Sequence, residues 1–163
     1  MDFVLFSESV KNHRTMVFRI AYSYVKCVHD AEDVTQDVFL KLYKCTAEFA
    51  ADENLKAWLI RVTINQAKSL LRSSWKSKRG ELADLENSEL ASVGYLPENC
   101  LELYDYVESL KPKYRTIIYL YYYEQYSVKE IAGILKIQQS TVTTQLGRAR
   151  NQLKEILLAE GYS

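Results

Sequence analysis

Between Ser127 and Lys154 the apolar residues recur in two helical registers, a short one and a long one, separated by about four residues. Ser127-Val128-Lys129-Glu130 has the form of a capping box opening the first helix. Val128, Ile131, Ala132, Leu135 and Ile137 can then face Val142 and Leu146, and the small Ala132 lets the second helix cross closely. Ser140 is the expected cap of that second helix, which runs to about Leu158. Its outward residues include Gln139, Thr141, Thr143, Thr144, Gln145 and Arg148, side chains of the kind that reach base edges and phosphates in a major groove. The competing reading is a plain αα-hairpin. The capping box, the tight spacing and the polar outer face together favour a DNA-binding helix-turn-helix. Lys136 stands where the turn asks for positive φ, which lysine adopts at a cost of about 1 kcal/mol.

The rest of the chain extends the helical pattern. Five glycines and two prolines in 163 residues leave few turn makers for a β-rich fold. The spacing predicts a helix over Glu8–Val28, a second running from an N-cap at Asp30 to about Cys45, and a loop over Thr46–Asn54. A third helix covers Leu55 to about Lys76. Its apolar positions include Trp58, Leu59, Val62 and Ala67, so Trp58 reads as core in preference to a stacking platform. Periodicity is then lost, returns in a helix over Glu98–Leu110, and continues in one opened by Pro112. The expected fold is all-α: two small helical domains, 1–78 and 98–163, joined by a flexible acidic linker over 79–97.

The net charge of zero hides a segregation by sign. Every charged residue from Asn54 to Gly80 is basic: Lys56, Arg61, Lys68, Arg72, Lys76, Lys78 and Arg79. Every charged residue from Glu81 to Ser109 is acidic. The basic block suits phosphate, and the acidic block reads as a solvated linker or as a shield against the wrong nucleic acid. Cys27, Cys45 and Cys100 fit no zinc spacing and read as small buried hydrophobes, so no metal and no cofactor is expected. No phosphate-binding glycine loop or nucleophile–base arrangement stands out, which argues against an enzyme. The absence of a long apolar run or a signal-peptide layout points to the cytoplasm, without membrane insertion.

Three stretches, in order, resemble one family. Asp30-Ala31-Glu32-Asp33-Val34-Thr35-Gln36-Asp37-Val38-Phe39 looks like the region 2.2 pattern of bacterial sigma factors. Trp58-Leu59-Ile60-Arg61-Val62-Thr63-Ile64-Asn65 resembles the region 2.3 signature, and the helix-turn-helix with Thr141-Val142 and Arg148-Ala149-Arg150 resembles region 4.2. The order, and the lack of a region 3 domain, is similar to the extracytoplasmic-function (ECF) subfamily of RNA polymerase sigma factors.

That resemblance implies a transcription initiation factor with three sets of contacts. Asp30, Asp33, Gln36, Asp37, Phe39, Leu40 and Tyr43 would dock on the β′ clamp helices of core RNA polymerase. Lys56, Arg61, Asn65, Lys68, Arg72, Lys76 and Lys78 would engage an opened −10 element, with a base flipped into a pocket formed by the Thr46–Asn54 loop and Asn65. Gln139, Ser140, Thr141, Thr143, Thr144, Gln145 and Arg148 would read the −35 element. An anti-sigma factor is the further implied partner. The tyrosines between Tyr119 and Tyr126 read either as core and amphipathic surface or as a docking face for a regulator or the polymerase β-flap. A helix-turn-helix regulator that binds DNA without joining polymerase is the alternative.

Overall fold

Helix α1 spans Phe3–Val25 and so begins before the expected Glu8, with Asp2 extended at its N-cap and Lys26 left-handed at φ 53° closing it. The computed structural model describes residues 1–77 and 106–161, with side chains for 1–73 and 106–161. The linker expected over 79–97, together with Lys78 and Cys100, lies outside the described residues, as does the Lys76 side chain. The chain divides into two compact units between Leu85 and Glu86. Among the described residues all regular structure is helical.

The first unit packs α1 against α2 (Val28–Lys44) and α3 (Asp52–Ser77), and α2 against α3. Cys27, not Asp30, is the N-cap of α2. Asp30 falls in the first turn, where its charge still favours the positive end of the helix dipole. Val17, Ile20, Ala31, Val34, Val38, Leu42, Leu59, Ile60 and Ala67 form the dry centre. Fully burying each valine, leucine or isoleucine side chain among them stabilises by about 1.5–3 kcal/mol. Buried Thr35 and Thr63 keep their hydroxyls satisfied by donating to Ala31 O and Leu59 O one turn back. Polar links also tie the bundle at its rim: the buried His13 Nε2 lies 2.9 Å from Asp52 Oδ1, and Arg14 donates to Glu32 at 2.9 Å. Cys27 and Cys45 are free and half-buried at the two ends of α2, not in the core as expected.

The second unit contains α4 (Pro112–Ile118), a π-helical segment over Tyr119–Tyr123, α5 (Val128–Leu135) and α6 (Gln139–Ala159). Pro112 opens α4 where its missing N–H is not needed. Arg115 is buried and donates to the carbonyls of Glu108 and Leu110, binding the preceding helical turn to α4. Leu110, Tyr114, Ile117, Ile118, Leu146 and Ala149 form the core that seats α6.

Candidate nucleic-acid interface

The helix-turn-helix forms as its sequence predicts. Ser127 Oγ accepts from the Glu130 N–H at 3.1 Å, and Glu130 accepts from the Ser127 N–H at 2.7 Å, so both halves of the capping box are present. Lys136 closes α5 in the left-handed region at φ 55°, ψ 46°. The N–H groups of Lys136 and Ile137 both point to Ala132 O. Ile131 and Ala132 are buried beside Val142 and Leu146. The cap of α6 differs from expectation. Gln138 is the N-cap, and Ser140 already lies inside the first turn.

Gln139, Ser140, Thr143, Thr144 and Arg148 are exposed on α6, with Thr141 and Gln145 half-buried at the margins. Thr144 donates its hydroxyl to Ser140 O at 2.8 Å. With that donor held by the helix, Thr144 offers a partner only its methyl group and its oxygen lone pairs.

On α3, Arg61, Asn65, Lys68, Arg72 and Lys76 are spaced by four, three, four and four residues, which places them on one side of the helix. That side is opposite the buried Leu59, Ile60, Thr63 and Ala67. Asn65, Lys68 and Arg72 are exposed and Arg61 is half-buried. Lys68 Nζ sits 6.0 Å from the centroid of the Tyr24 ring. Lys56 does not join them: it is half-buried near the start of the helix, on its opposite side.

Trp58 departs from its predicted place in the core. Seven residues before Asn65, it lies along the polar side of α3, half-buried, with Phe49 from the preceding loop packed edge-on at 5.8 Å. Loop 45–51 and the N-terminal half of α1 enclose a cleft of about 640 Å³. Asp2, Glu8, Glu48 and Asp52 are among its lining residues. Carboxylates along that wall disfavour phosphate in the cleft.

On α2, Asp33, Gln36, Asp37, Leu40 and Tyr43 are exposed along one face, with Asp30 half-buried at its start. Phe39 is a correction. At 6% exposure it belongs to the core, because it lies four residues after Thr35 and three before Leu42, beside the buried side of α2. The exposed apolar surface is made instead by Leu40 and Tyr43, at 54% and 53% exposure. The Phe6 ring of α1 braces Tyr43 edge-on at 5.2 Å.

The tyrosine cluster divides. Tyr119 and Tyr126 are buried, Tyr121 is half-buried, and Tyr122 and Tyr123 are exposed. The Glu124 N–H bonds to Tyr119 O, the i→i+5 closure of a π-turn. Tyr121 and Tyr122 meet Arg150 of α6, a contact that composition and spacing did not flag because it joins residues 28 apart. Among the described residues no group of three or more His, Cys, Asp or Glu could hold a metal ion. None of their helices is long and apolar enough to cross a membrane.

Comparison with known proteins places this architecture. Residues 10–77 match the Sigma-70 region 2 family, and residues 100–153 match Sigma-70, region 4. The ECF RNA polymerase sigma factor SigW of Bacillus subtilis is 30% identical, over 93% of this chain and 88% of its own length. RNA polymerase sigma factor SigV of the same organism is 30% identical over 94% and 92%. In fold, the chain is similar to the sigma factor RpoE of Bartonella quintana, solved with the anti-sigma factor NepR. That match has a TM-score of 0.72 and 22% identity, and covers 93% of this chain and 96% of that one. It is also similar to CnrH, solved with the cytosolic domain of CnrY, at TM-score 0.71, 23% identity and coverage of 98% and 92%. The chain belongs to the ECF subfamily of the sigma-70 family of RNA polymerase sigma factors. Members of this family are transcription initiation factors, not enzymes.

Proposed function

We propose that this sigma factor carries core RNA polymerase to promoters with three surfaces. Domain 1–78 binds polymerase and the −10 element, domain 98–163 binds the −35 element, and 79–97 links them. The observation that carries this reading is the stripe of exposed Asn65, Lys68 and Arg72 with half-buried Arg61 on α3, opposite that helix's core. Spaced cations track a phosphate backbone, and the Asn65 amide supplies a donor and an acceptor for a base edge. The −10 base flips toward Asn65 and the loop before α3. Unstacking costs a few kcal/mol, and hydrogen bonds to the base recover it.

Asp33, Gln36, Asp37, Leu40 and Tyr43 dock on the β′ clamp helices: carboxylates steer a basic partner, and the apolar pair supplies buried area. Thr143, Thr144 and Arg148, with Gln139 and Ser140, enter the −35 major groove, and the second domain also meets the β-flap. An anti-sigma factor holds the protein inactive in the cytoplasm, in keeping with the anti-sigma factor NepR bound to RpoE of Bartonella quintana and the cytosolic domain of CnrY bound to CnrH.

In vitro transcription with core polymerase and a fragmented genomic library, with start sites mapped, tests the reading. Initiation that depends on the protein and shares −10 and −35 sequences supports it. Duplex DNA binding without protein-dependent initiation removes it.

A further inference from the structure

Arg150 lies on α6, yet an aromatic corner holds its guanidinium instead of an acid. Its Nε donates to the Tyr122 hydroxyl at 2.7 Å. The guanidinium carbon stands 5.2 Å from the Tyr121 ring centroid and 5.6 Å from that of Tyr122. Those two rings meet edge to face at 5.0 Å, so the cation rests on a braced pair. The Tyr122 hydroxyl, accepting from Nε, raises the Arg150 pKa above its ordinary value, against a weaker opposing effect of desolvation. Arg150 and Tyr122 are both exposed, and among the described residues Arg150 takes part in no ion pair. Arg150 follows Gln139 by eleven residues and Thr143 by seven, so it shares their side of α6.

We propose that Arg150 contacts a backbone phosphate beside the −35 element, and that Tyr122 is the positioning residue that presents it. The inference rests on the reading of α6 as the −35 helix. A free surface arginine gives up side-chain entropy when it grips a phosphate, and an arginine already ordered by two rings gives up less. With Nε committed to Tyr122, the Nη groups are what the planar fork offers to a phosphate. The π-turn puts one extra residue into the helix just before α5, and Tyr121 and Tyr122 lie within it.

The test uses holoenzyme and a promoter fragment recovered by start-site mapping, with affinity measured across a salt series. Arg150→Ala weakens binding by roughly tenfold at low salt and lowers the slope of log K against log salt by about 0.9. Tyr122→Phe keeps the ring and the slope and weakens binding by roughly threefold. Arg150→Lys does not restore wild-type affinity, because an ammonium cannot use the same two rings and hydroxyl. Methylphosphonate is then placed at each phosphate flanking the −35 element in turn. At one position it weakens the wild-type complex and leaves the Arg150→Ala complex unchanged.

If Arg150 and Tyr122 only clasp α6 to the preceding helix, the salt slope stays at its wild-type value. Every methylphosphonate then acts on both proteins alike, and the proposal is overturned. Thr143→Ala and Arg148→Ala run in parallel. If these also leave −35 binding intact, the reading of α6 itself fails. If they weaken it while Arg150→Ala does not, only the present inference fails.

Discussion

Gln66 of α3 donates from Nε2 to Asp37 Oδ2 of α2 at 3.2 Å, and its Oε1 accepts from Lys41 Nζ. One amide therefore bridges a carboxylate and an ammonium a single turn apart on α2. It does so from the residue next to Asn65. The surface assigned to polymerase and the surface assigned to the opened strand meet at this bridge.

Replacing Asp37 with Ala should lower affinity for core polymerase by roughly two- to fivefold, the scale of a solvent-exposed charge pair at an interface. Gln66→Ala should give a smaller loss of the same kind, because Asp37 keeps its charge and loses only its orientation. Competition of labelled protein for core polymerase reads both. Core affinity that is unchanged in Asp37→Ala, Leu40→Ala and Tyr43→Ala alike would remove the α2 docking face.

Asn65→Ala should leave core affinity alone and reduce promoter opening by tenfold or more, since the flipped base would lose amide hydrogen bonds worth about 1–3 kcal/mol. Permanganate reactivity of unpaired thymines near −10 measures the opening.

Changing Lys68, Arg72 and Lys76 together to Ala removes three cations from one stripe. The slope of log affinity against log salt should fall by about 2, at about 0.7 per single-strand phosphate. A slope equal to wild type would contradict the assignment of that stripe.

Two substitutions probe the second unit's fold instead of its contacts. Ser127→Ala should destabilise it by about 1 kcal/mol through loss of the cap. Lys136→Gly should stabilise it by about 0.5 kcal/mol, because relief of the left-handed strain slightly exceeds the added chain entropy. Hydrogen exchange on α5 resolves both changes without assuming that the two units unfold together.

Phe39→Ala should behave as a core truncation and cost about 3–5 kcal/mol in the first unit. Circular dichroism melting would show this as a lowered transition before any effect on polymerase is considered.

Several features of the second unit are legible from a local rule. The capping box at Ser127 and Glu130, the left-handed Lys136 and the buried register of α5 each depend on residues a few positions apart, and all form as their sequence predicts. Some departures turn on the tertiary neighbour, and others on where a helix starts or which side of it a residue takes. Phe39 and Tyr43 both sit at the edge of the apolar arc of α2, and packing against the other helices covers the first and leaves the second exposed. Trp58 reads as core by its apolar spacing, whereas the helix geometry puts it on the side of Asn65, against Phe49. Asp30 and Ser140 look like caps, yet both helices start earlier, at Val28 and Gln139. The π-turn leaves no periodic trace, and the Arg150–Tyr122 bond joins residues too distant for any window to pair.

The most direct test of a two-handed promoter reader is site-directed DNA cleavage. With the three native cysteines replaced by serine, an iron chelate is tethered through Asn65→Cys in one protein and Thr143→Cys in another. Each is assembled into holoenzyme on a mapped promoter. Cuts from position 65 should cluster at the −10 element and cuts from position 143 at the −35 element. Cleavage at the same place from both positions, or none from position 65 in a transcriptionally active complex, would contradict the assignment of one element to each domain.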